Sequence, residues 1–537
     1  MSSWTDHLVI APIVIPLVTG ALMVLAGEGR RVINGILALA SVAGLLLVSV
    51  ALVGLADGAV EAASQTRVYR LGDWPALFAI VLVLDRLSAL MVLLTSVLGI
   101  AALVFSFARW YRAGAYFHPL LQFQLMGLNG AFLTGDLFNL FVFFEVLLAP
   151  SYGLVLHGSG IARARAGLHY LAVNLAASLL FLIGVSMIYG LVGTLSMADL
   201  AAQFGQLRGE DRALVEAALA ILGVAFLIKA GIWPLGFWLP TAYAAASAPS
   251  AAILSILSKV GVYAILRLWL LLFSGDSASA GFGGGFLMTA GIVTIAFGSF
   301  AVLATQSMPR LAGASVLVSS GTLLGAIGMG HAAVTSGALY YLVSSVFAIA
   351  ALFLLIELVE RSREVGADVI AVTREAIGDV EEEAEESDEE TGIAIPGTMA
   401  VLGMSFLACA LVLAGLPPLS GFLAKFAILA PLLESGVEIG AADWTLLAAL
   451  VLSGLATIIA MTRVGIDAFW ASPSATLARV RVIEIAPVLV LLFLCVGITV
   501  KAGPVMRYME TTARSLHAPQ EYIRGVLPPS RAERGAP

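Results

Sequence analysis

Apolar runs of about twenty residues follow one another from end to end of this 537-residue chain. Such a run is as long as a helix that crosses a bilayer, and in lipid only a helix or a closed barrel satisfies its own backbone polar groups. The runs fall near residues 8–26, 33–55, 78–107, 117–135, 137–157, 167–193, 213–246, 249–274, 283–305, 309–330, 334–360, 395–433, 444–466 and 483–502. They predict an all-α polytopic membrane protein of about 14 transmembrane helices. Only 12% of the residues are charged, against about 25% in a soluble domain, which excludes a soluble enzyme. No basic stripe suits a nucleic acid, so no nucleic-acid partner is expected. No basic leader precedes the first run, which reads as a retained span.

Arginines mark the sidedness. They cluster after odd-numbered spans, at Arg30, Arg31, Arg109, Arg112, Arg163, Arg165, Arg310, Arg361, Arg363, Arg463, Arg479 and Arg481. Loops after even-numbered spans hold fewer, chiefly Arg67, Arg70, Arg208 and Arg212. The positive-inside rule then puts the odd loops in the cytoplasm and both termini outside. The net charge of −7 owes much to one acidic run, GDVEEEAEESDEE at 378–390, which reads as a solvated loop. Residues 504–526 read as one or two amphipathic helices broken at Pro519, suited to a surface or to another subunit. Cys409 and Cys495 fall in apolar segments, where a thiol acts as a small hydrophobe.

Against this background the lysines stand out. There are four, and Lys229, Lys259 and Lys425 lie inside apolar segments, leaving only Lys501 near a span end. A charge at the bilayer centre costs roughly 2.5–3.5 kcal/mol on insertion scales. A chain that otherwise uses arginine needs a reason to place three lysines there. Lysine can exchange a proton when desolvation and a nearby carboxylate oppose each other, and arginine cannot. Glu145, in FNLFVFFEVLLAP, is the one carboxylate deep in a span with strongly apolar flanks. The blander readings are a static Glu145–Lys229 salt bridge and lysines that snorkel to an interface.

Two spans are too long for one straight crossing. Residues 213–246 contain Pro234 and Pro240, and residues 395–433 contain Pro417 and Pro418. Proline removes a helical hydrogen bond, so both are expected to be broken helices. The breaks nearly repeat each other, as GIWPLGF from Gly231 and GLPPLSGF from Gly415. Paired interruptions in two halves point to inverted-repeat transporters, and irregular backbone at that depth survives beside protein or a hydrated cavity.

Lys259, in SILSKVG, has Ser255 one turn away and Ser258 adjacent, polar neighbours able to hold water. Lys425 follows the second break by two turns and could face a second cavity. His331, in GMGHAAVTSG, lies between spans and is a possible relay group. His118, His157 and His169 sit near span ends. Asp85 and Arg86 adjoin and read as an ion pair or an interface anchor, and Asp136 reads as a helix cap. No metal-ligand cluster, nucleophile elbow or phosphate loop is visible, so neither cofactor nor metal is expected.

At these residues the chain resembles the proton-pumping membrane-subunit family shared by respiratory complex I, membrane-bound hydrogenases and the Mrp (multiple resistance and pH) cation/proton antiporters. The segments that carry the resemblance are YRLGDWPALFAIVLVLDRLSALM at 69–91, TGDLFNLFVFFEVLLAPSYGL at 134–154, AGLHYLAVNL at 166–175, GTLSMADLA at 193–201 and KAGIWPLGFWLPTAYAAASAPSAAILSILSKVGVYAILR at 229–267. GDLFNLFVFFEVLL favours the D branch of the Mrp antiporters. The resemblance implies two inverted five-helix repeats with broken helices 7 and 12. It divides the chain into helices 1–3 (1–116), a first repeat (117–274), a second repeat (283–466) with an acidic loop at 364–394, helix 14 (483–502) and a tail (503–537). It implies that Glu145 and Lys229 form a proton-switch pair, that Lys259 relays and that Lys425 is the exit site. Where relatives place a histidine in a pattern like YYLVHS, this chain has Ser344 and Ser345. The link from Lys259 to Lys425 is then expected to use water held by Ser319, Ser320, Ser344 or Ser345.

The function expected from the resemblance is a proton-conducting subunit of a multisubunit Na+/proton antiporter in the cytoplasmic (inner) membrane. It would be a transporter and not an enzyme, with A-, B-, C-, E-, F- and G-type subunits, the lipid bilayer, protons and Na+ as partners. The alternative is the pumping arm of a redox-driven quinone- or hydrogenase-linked complex. A structural scaffold with relic lysines is disfavoured by the cost of burying three of them.

Overall fold

The computed structural model describes residues 6–58, 66–74, 80–114, 116–273, 279–377, 397–434, 439–469 and 480–527. The helices run in the order α1 (Ala11–Ala26), α2 (Arg31–Ala56), α3 (Arg86–Ser106), α4 (Phe117–Leu133), α5 (Leu137–Leu156), α6 (Ile161–Val192), α7 (Met197–Phe204), α8 (Gly209–Ala230), α9 (Trp238–Ala245) and α10 (Ala248–Phe273). They continue with α11 (Gly284–Ala304), α12 (Met308–Gly328), α13 (Ala332–Ile377), α14 (Gly397–Ala414), α15 (Ser420–Glu434), α16 (Ala441–Phe469), α17 (Val482–Val500), α18 (Ala502–Leu516) and α19 (Pro519–Val526). Among the described residues twelve helices are long and apolar enough to cross a membrane. Two more of the fourteen expected spans, near 8–26 and 117–135, fall on the shorter helices α1 and α4, of 16 and 17 residues.

Burial sorts the spans. The apolar windows of α10, α12 and α13 are 89%, 94% and 94% buried, whereas those of α2, α6, α11, α14, α16 and α17 are 33–39% buried. An apolar helix surrounded by other helices belongs at the centre of a bundle, and one with a bare apolar face belongs at its lipid-facing rim. The centre is therefore the column of α10, α12 and α13, and Lys259 and the paired serines lie on it.

Both long spans are broken as the prolines predict. α8 stops at Ala230, and Gly231 takes φ 75°, a left-handed conformation that only glycine adopts freely. Ile232 N–H then donates to Leu227 O and Gly231 N–H to Ile228 O. At the second break Gly415 has φ 78°, Leu416 N–H donates to Leu411 O and Gly415 N–H to Val412 O. Each half-helix thus ends in the same Schellman cap. The Trp233–Pro234 and Pro417–Pro418 peptides are both cis. Past the first cap, Trp233 N–H donates to Thr294 Oγ1 of α11 at 3.1 Å, so protein satisfies the irregular backbone.

Three expectations need correction. The third span does not begin near residue 78, because Val81–Leu84 forms a strand, β2, antiparallel to β1 (Arg67–Arg70). The alternating Val and Leu residues of β2 read equally well as helix by hydropathy alone. The helix α13 continues to Ile377, through the start of the region expected as loop 364–394. Alanine, glutamate and arginine there sustain a helix without any need to cross lipid. The acidic run at 378–390 lies outside the described residues. Finally, Asp85 and Arg86 do not pair with each other. Asp85 caps α3, exchanging hydrogen bonds with Ser88, and forms a bidentate ion pair with Arg267 of α10. Arg86 points away to Asp57, at 3.1 Å. Successive residues at a helix start face different neighbours.

Asp136 caps α5 as expected, accepting from Asn139 N–H at 2.9 Å. The tail forms two helices separated before Pro519. Tyr508 of α18 donates to Arg86 O at 2.9 Å, and the Arg267 guanidinium lies 5.2 Å from the Tyr522 ring of α19.

Candidate functional site

The site begins where α5, α6 and α8 meet. Lys229 occupies the last turn of α8, where the helix dipole favours a cation. Its ammonium lies 4.9 Å from the Phe144 ring centre and 3.5 Å from Asn174 Oδ1 of α6. Glu145 follows Phe144 on α5, and its Oε1 is buried without a hydrogen-bond partner. Glu145 acts on Lys229 through its charge, but the two form no ion pair within 4 Å among the described residues. A small cavity lies between Lys229 and α10, lined by Phe144, Tyr170, Asn174, Lys229, Trp238 and Leu257.

Lys259 lies on α10 with no exposed surface, and its Nζ donates to Ser320 Oγ of α12 at 3.0 Å. Ser319, beside it, donates to Ser345 Oγ of α13 at 3.0 Å. Ser344, beside that, shares a 2.7 Å hydrogen bond with Ser420 Oγ at the start of α15. Lys425 follows on α15, 8% exposed, and donates to Ala414 O at 2.9 Å and to Leu450 O of α16 at 3.4 Å. Ala414 is the last residue of α14, so its carbonyl is one the break leaves without a helical partner. Hydroxyl pairs therefore reach from Lys259 across the central column to the second break.

The four principal residues expected from the sequence all lie in the bundle interior or along its seam. Ser319, Ser320, Ser344 and Ser345 fall between Lys259 and the second break, where Ser320 bonds to Lys259, Ser319 to Ser345 and Ser344 to Ser420. Ser255 is buried one turn from Lys259 and bonds back to Ala252 O at 2.7 Å, as a serine in an apolar helix commonly does. His331 is not brought to the site. It is exposed at the approach to α13, and its charge bears on His517 of the tail. His118 and His157 are buried at the ends of α4 and α5, where His157 Nε2 lies 2.8 Å from Trp110 O. None of Lys229, Lys259 and Lys425 forms an ion pair among the described residues, whereas Arg267 and Arg361 do. No group of three metal-ligating side chains occurs among them either.

Asn174 was not singled out from the sequence. Its signal was present: an amide in an apolar helix, within AGLHYLAVNL, is costly without a partner.

Buried amines threaded between two interrupted helices define a class, the antiporter-like subunits of ion-translocating membrane complexes. The family described as NADH:quinone oxidoreductase/Mrp antiporter, TM, matches residues 134–456, which contain both breaks and Lys229, Lys259 and Lys425. The chain belongs to this family. It is 58% identical to a probable K(+)/H(+) antiporter subunit, of D type, from Rhizobium meliloti over 99% of both chains. It is 35% identical to the D-type Na(+)/H(+) antiporter subunit of Alkalihalophilus pseudofirmus, over 97% of this chain and 99% of the other. Among solved structures it superposes on a chain of the Mrp complex from Dietzia sp. DQ12-45-1b with a TM-score of 0.81 at 26% identity, covering 98% and 100% of the two chains. A chain of respiratory complex I from Thermus thermophilus shares the fold at a TM-score of 0.73 and 22% identity, over 95% and 99% of the two chains.

Proposed function

We propose that the chain is the proton-conducting subunit of a multisubunit monovalent cation/proton antiporter of the cytoplasmic membrane, working as a transporter and not as an enzyme. Its partners are the other subunits of such a complex. The observation that carries the reading is the placement of Lys259. A fully buried amine whose hydrogen bond goes to a hydroxyl, with no carboxylate paired to it, can exist as ammonium or amine at modest cost, and an arginine could not. A structural cation in the same place would be expected to keep a counter-ion. In this reading Glu145 and Lys229 are the switch pair, Lys259 relays and Lys425 releases protons. The hydroxyls of Ser319, Ser320, Ser344 and Ser345 bridge the last two. The two halves, 117–274 and 283–466, act as inverted repeats, each supplying one broken helix.

The relatives divide over the cation. The relative at 58% identity is named for K+ and the one at 35% for Na+. Greater identity over the same length favours K+ here, in place of the Na+ expected from the family resemblance. The test is to reconstitute the assembled complex in vesicles and record proton movement on adding K+ or Na+. Proton movement with K+ at lower concentration than with Na+ supports the reading. No proton movement with either cation would overturn it.

A further inference from the structure

A lysine that stands apart from its carboxylate rests on something else, and the seam of α5, α6 and α8 shows what. Asn174 is 4% exposed, and its Nδ2 donates to Tyr170 O of its own helix at 2.9 Å. That bond turns Oδ1 outward, toward the Lys229 ammonium. The Phe144 ring supplies the other side, a π-face for a cation. Its orientation is set by edge-on contacts with Phe181 and Phe226, at 5.6 and 6.1 Å between ring centres.

The carboxylate is next door. Successive residues on a helix point about 100° apart, so α5 offers a ring at Phe144 and an acid at Glu145 on adjoining faces. Glu145 Oε1 is buried without a hydrogen-bond partner, an acceptor the lysine has left unused. Of the titratable groups about Lys229, Glu145 of α5 bears on its charge, and Tyr170 of α6 lines the same cavity with its hydroxyl engaged by Ser151 Oγ at 2.6 Å. From α9 and α10 the cavity receives Trp238, Leu257 and Val260, which carry no charge.

We propose that Asn174, together with the Phe144 ring, is a second seat for the Lys229 ammonium and holds the Glu145–Lys229 pair in an open arrangement. Asn174 is thus a positioning residue for transport. The proposal rests on the proton-conducting function above. In the open arrangement the ammonium is held by an uncharged acceptor, from which it can hand on its proton. Rotating its side chain onto Glu145 closes the pair and secures the charge.

The test uses the assembled complex in vesicles and records antiport against pH. Asn174→Ala removes an acceptor from the ammonium, and the pH of half-maximal antiport moves down. Asn174→Asp supplies a charged acceptor, and the midpoint moves up. Each shift is on the order of one pH unit, the worth of one charge-assisted hydrogen bond. Asn174→Thr, which keeps an oxygen acceptor, stays nearer the parent than Asn174→Ala. A merely structural asparagine would lose rate in the first two variants without opposite shifts. Midpoints that stay put, or move the same way, overturn the proposal. Should Asn174→Ala not assemble, Asn174→Asp decides alone, by an upward shift or none. Glu145→Ala and Lys229→Ala run alongside. If they retain antiport the broader function fails, and if they abolish it while Asn174 variants keep the parent midpoint, only the second seat fails.

Discussion

Lys259 of α10 donates to the Ser320 hydroxyl of α12 at 3.0 Å, which places an amine between two of the three most enclosed spans among the described residues. Adjacent serines on α12 and on α13 then carry polar contacts onward, each helix receiving on one serine and passing on from its neighbour. A proton path needs such contacts only within reach of one another, since hydroxyls both donate and accept.

Breaking the row at the Ser344–Ser420 contact tests this. Ser344→Ala removes the contact with Ser420, and antiport is expected to fall roughly five- to tenfold, as for the loss of one hydrogen bond of about 1 kcal/mol in the rate-limiting step. Ser336, on the same helix, bonds to Ala333 O and lies off the row, so Ser336→Ala is expected to leave antiport unchanged. Equal rates in the two variants would remove Ser344 from the path.

The seat of Lys425 depends on close approach by α16. A Cβ at Gly454 would lie 2.5 Å from Ala414 O and 3.1 Å from Lys425 Nζ. Backbone cannot yield as a flexible side chain does, so Gly454→Ala is expected to destabilise by about 1–3 kcal/mol and to displace the lysine. Thermal unfolding of the purified complex, read beside antiport, shows both effects. An unchanged unfolding midpoint would mean that α16 packs less tightly than described.

The Asp85–Arg267 pair is structural. Their side chains are 14% and 5% exposed, and removing one leaves the other charge buried. Asp85→Ala is expected to cost roughly 3–5 kcal/mol, and combining it with Arg267→Met to recover part of that loss. The yield and thermal stability of assembled protein measure this. A double variant no better than Asp85→Ala would show that the pair contributes little beyond packing.

Docking of the tail is expected to weaken in acid. His517 Nε2 lies 3.1 Å from Thr335 Oγ1. Burial, and then the nearby charge of His331, hold His517 below the usual histidine range. A group lowered in this way contributes stability above its ordinary value near 6.5 that is lost as the pH falls through the lowered one. Proteolysis of the tail should therefore accelerate below about pH 6, and His517→Gln should flatten that dependence. A tail whose cleavage rate ignores pH in the parent would refute the assignment.

Much of this was legible in the sequence because lipid leaves few options. Long apolar runs become helices, and the prolines at 234 and 418 break them. The lysines advertise themselves, since a cation such as Lys259 is out of place in an apolar span. What stayed hidden depends on rotation and on partners distant in sequence. Hydropathy could not separate the β2 strand from a helix, nor show that Asp85 would reach across to Arg267. Asn174 looked like one polar residue in an apolar span. Only the packing of α6 against α8 shows that its oxygen meets Lys229. The serines were visible as hydroxyls, but their order as pairs is a property of three packed helices.

The most direct measurement is cation-driven proton movement in vesicles carrying the assembled complex, compared among the parent, Glu145→Ala and Lys229→Ala. The account predicts that both variants assemble in normal amount and move no protons. Normal transport by both would contradict it, because a lysine seated beside a broken helix would then have no part in conduction.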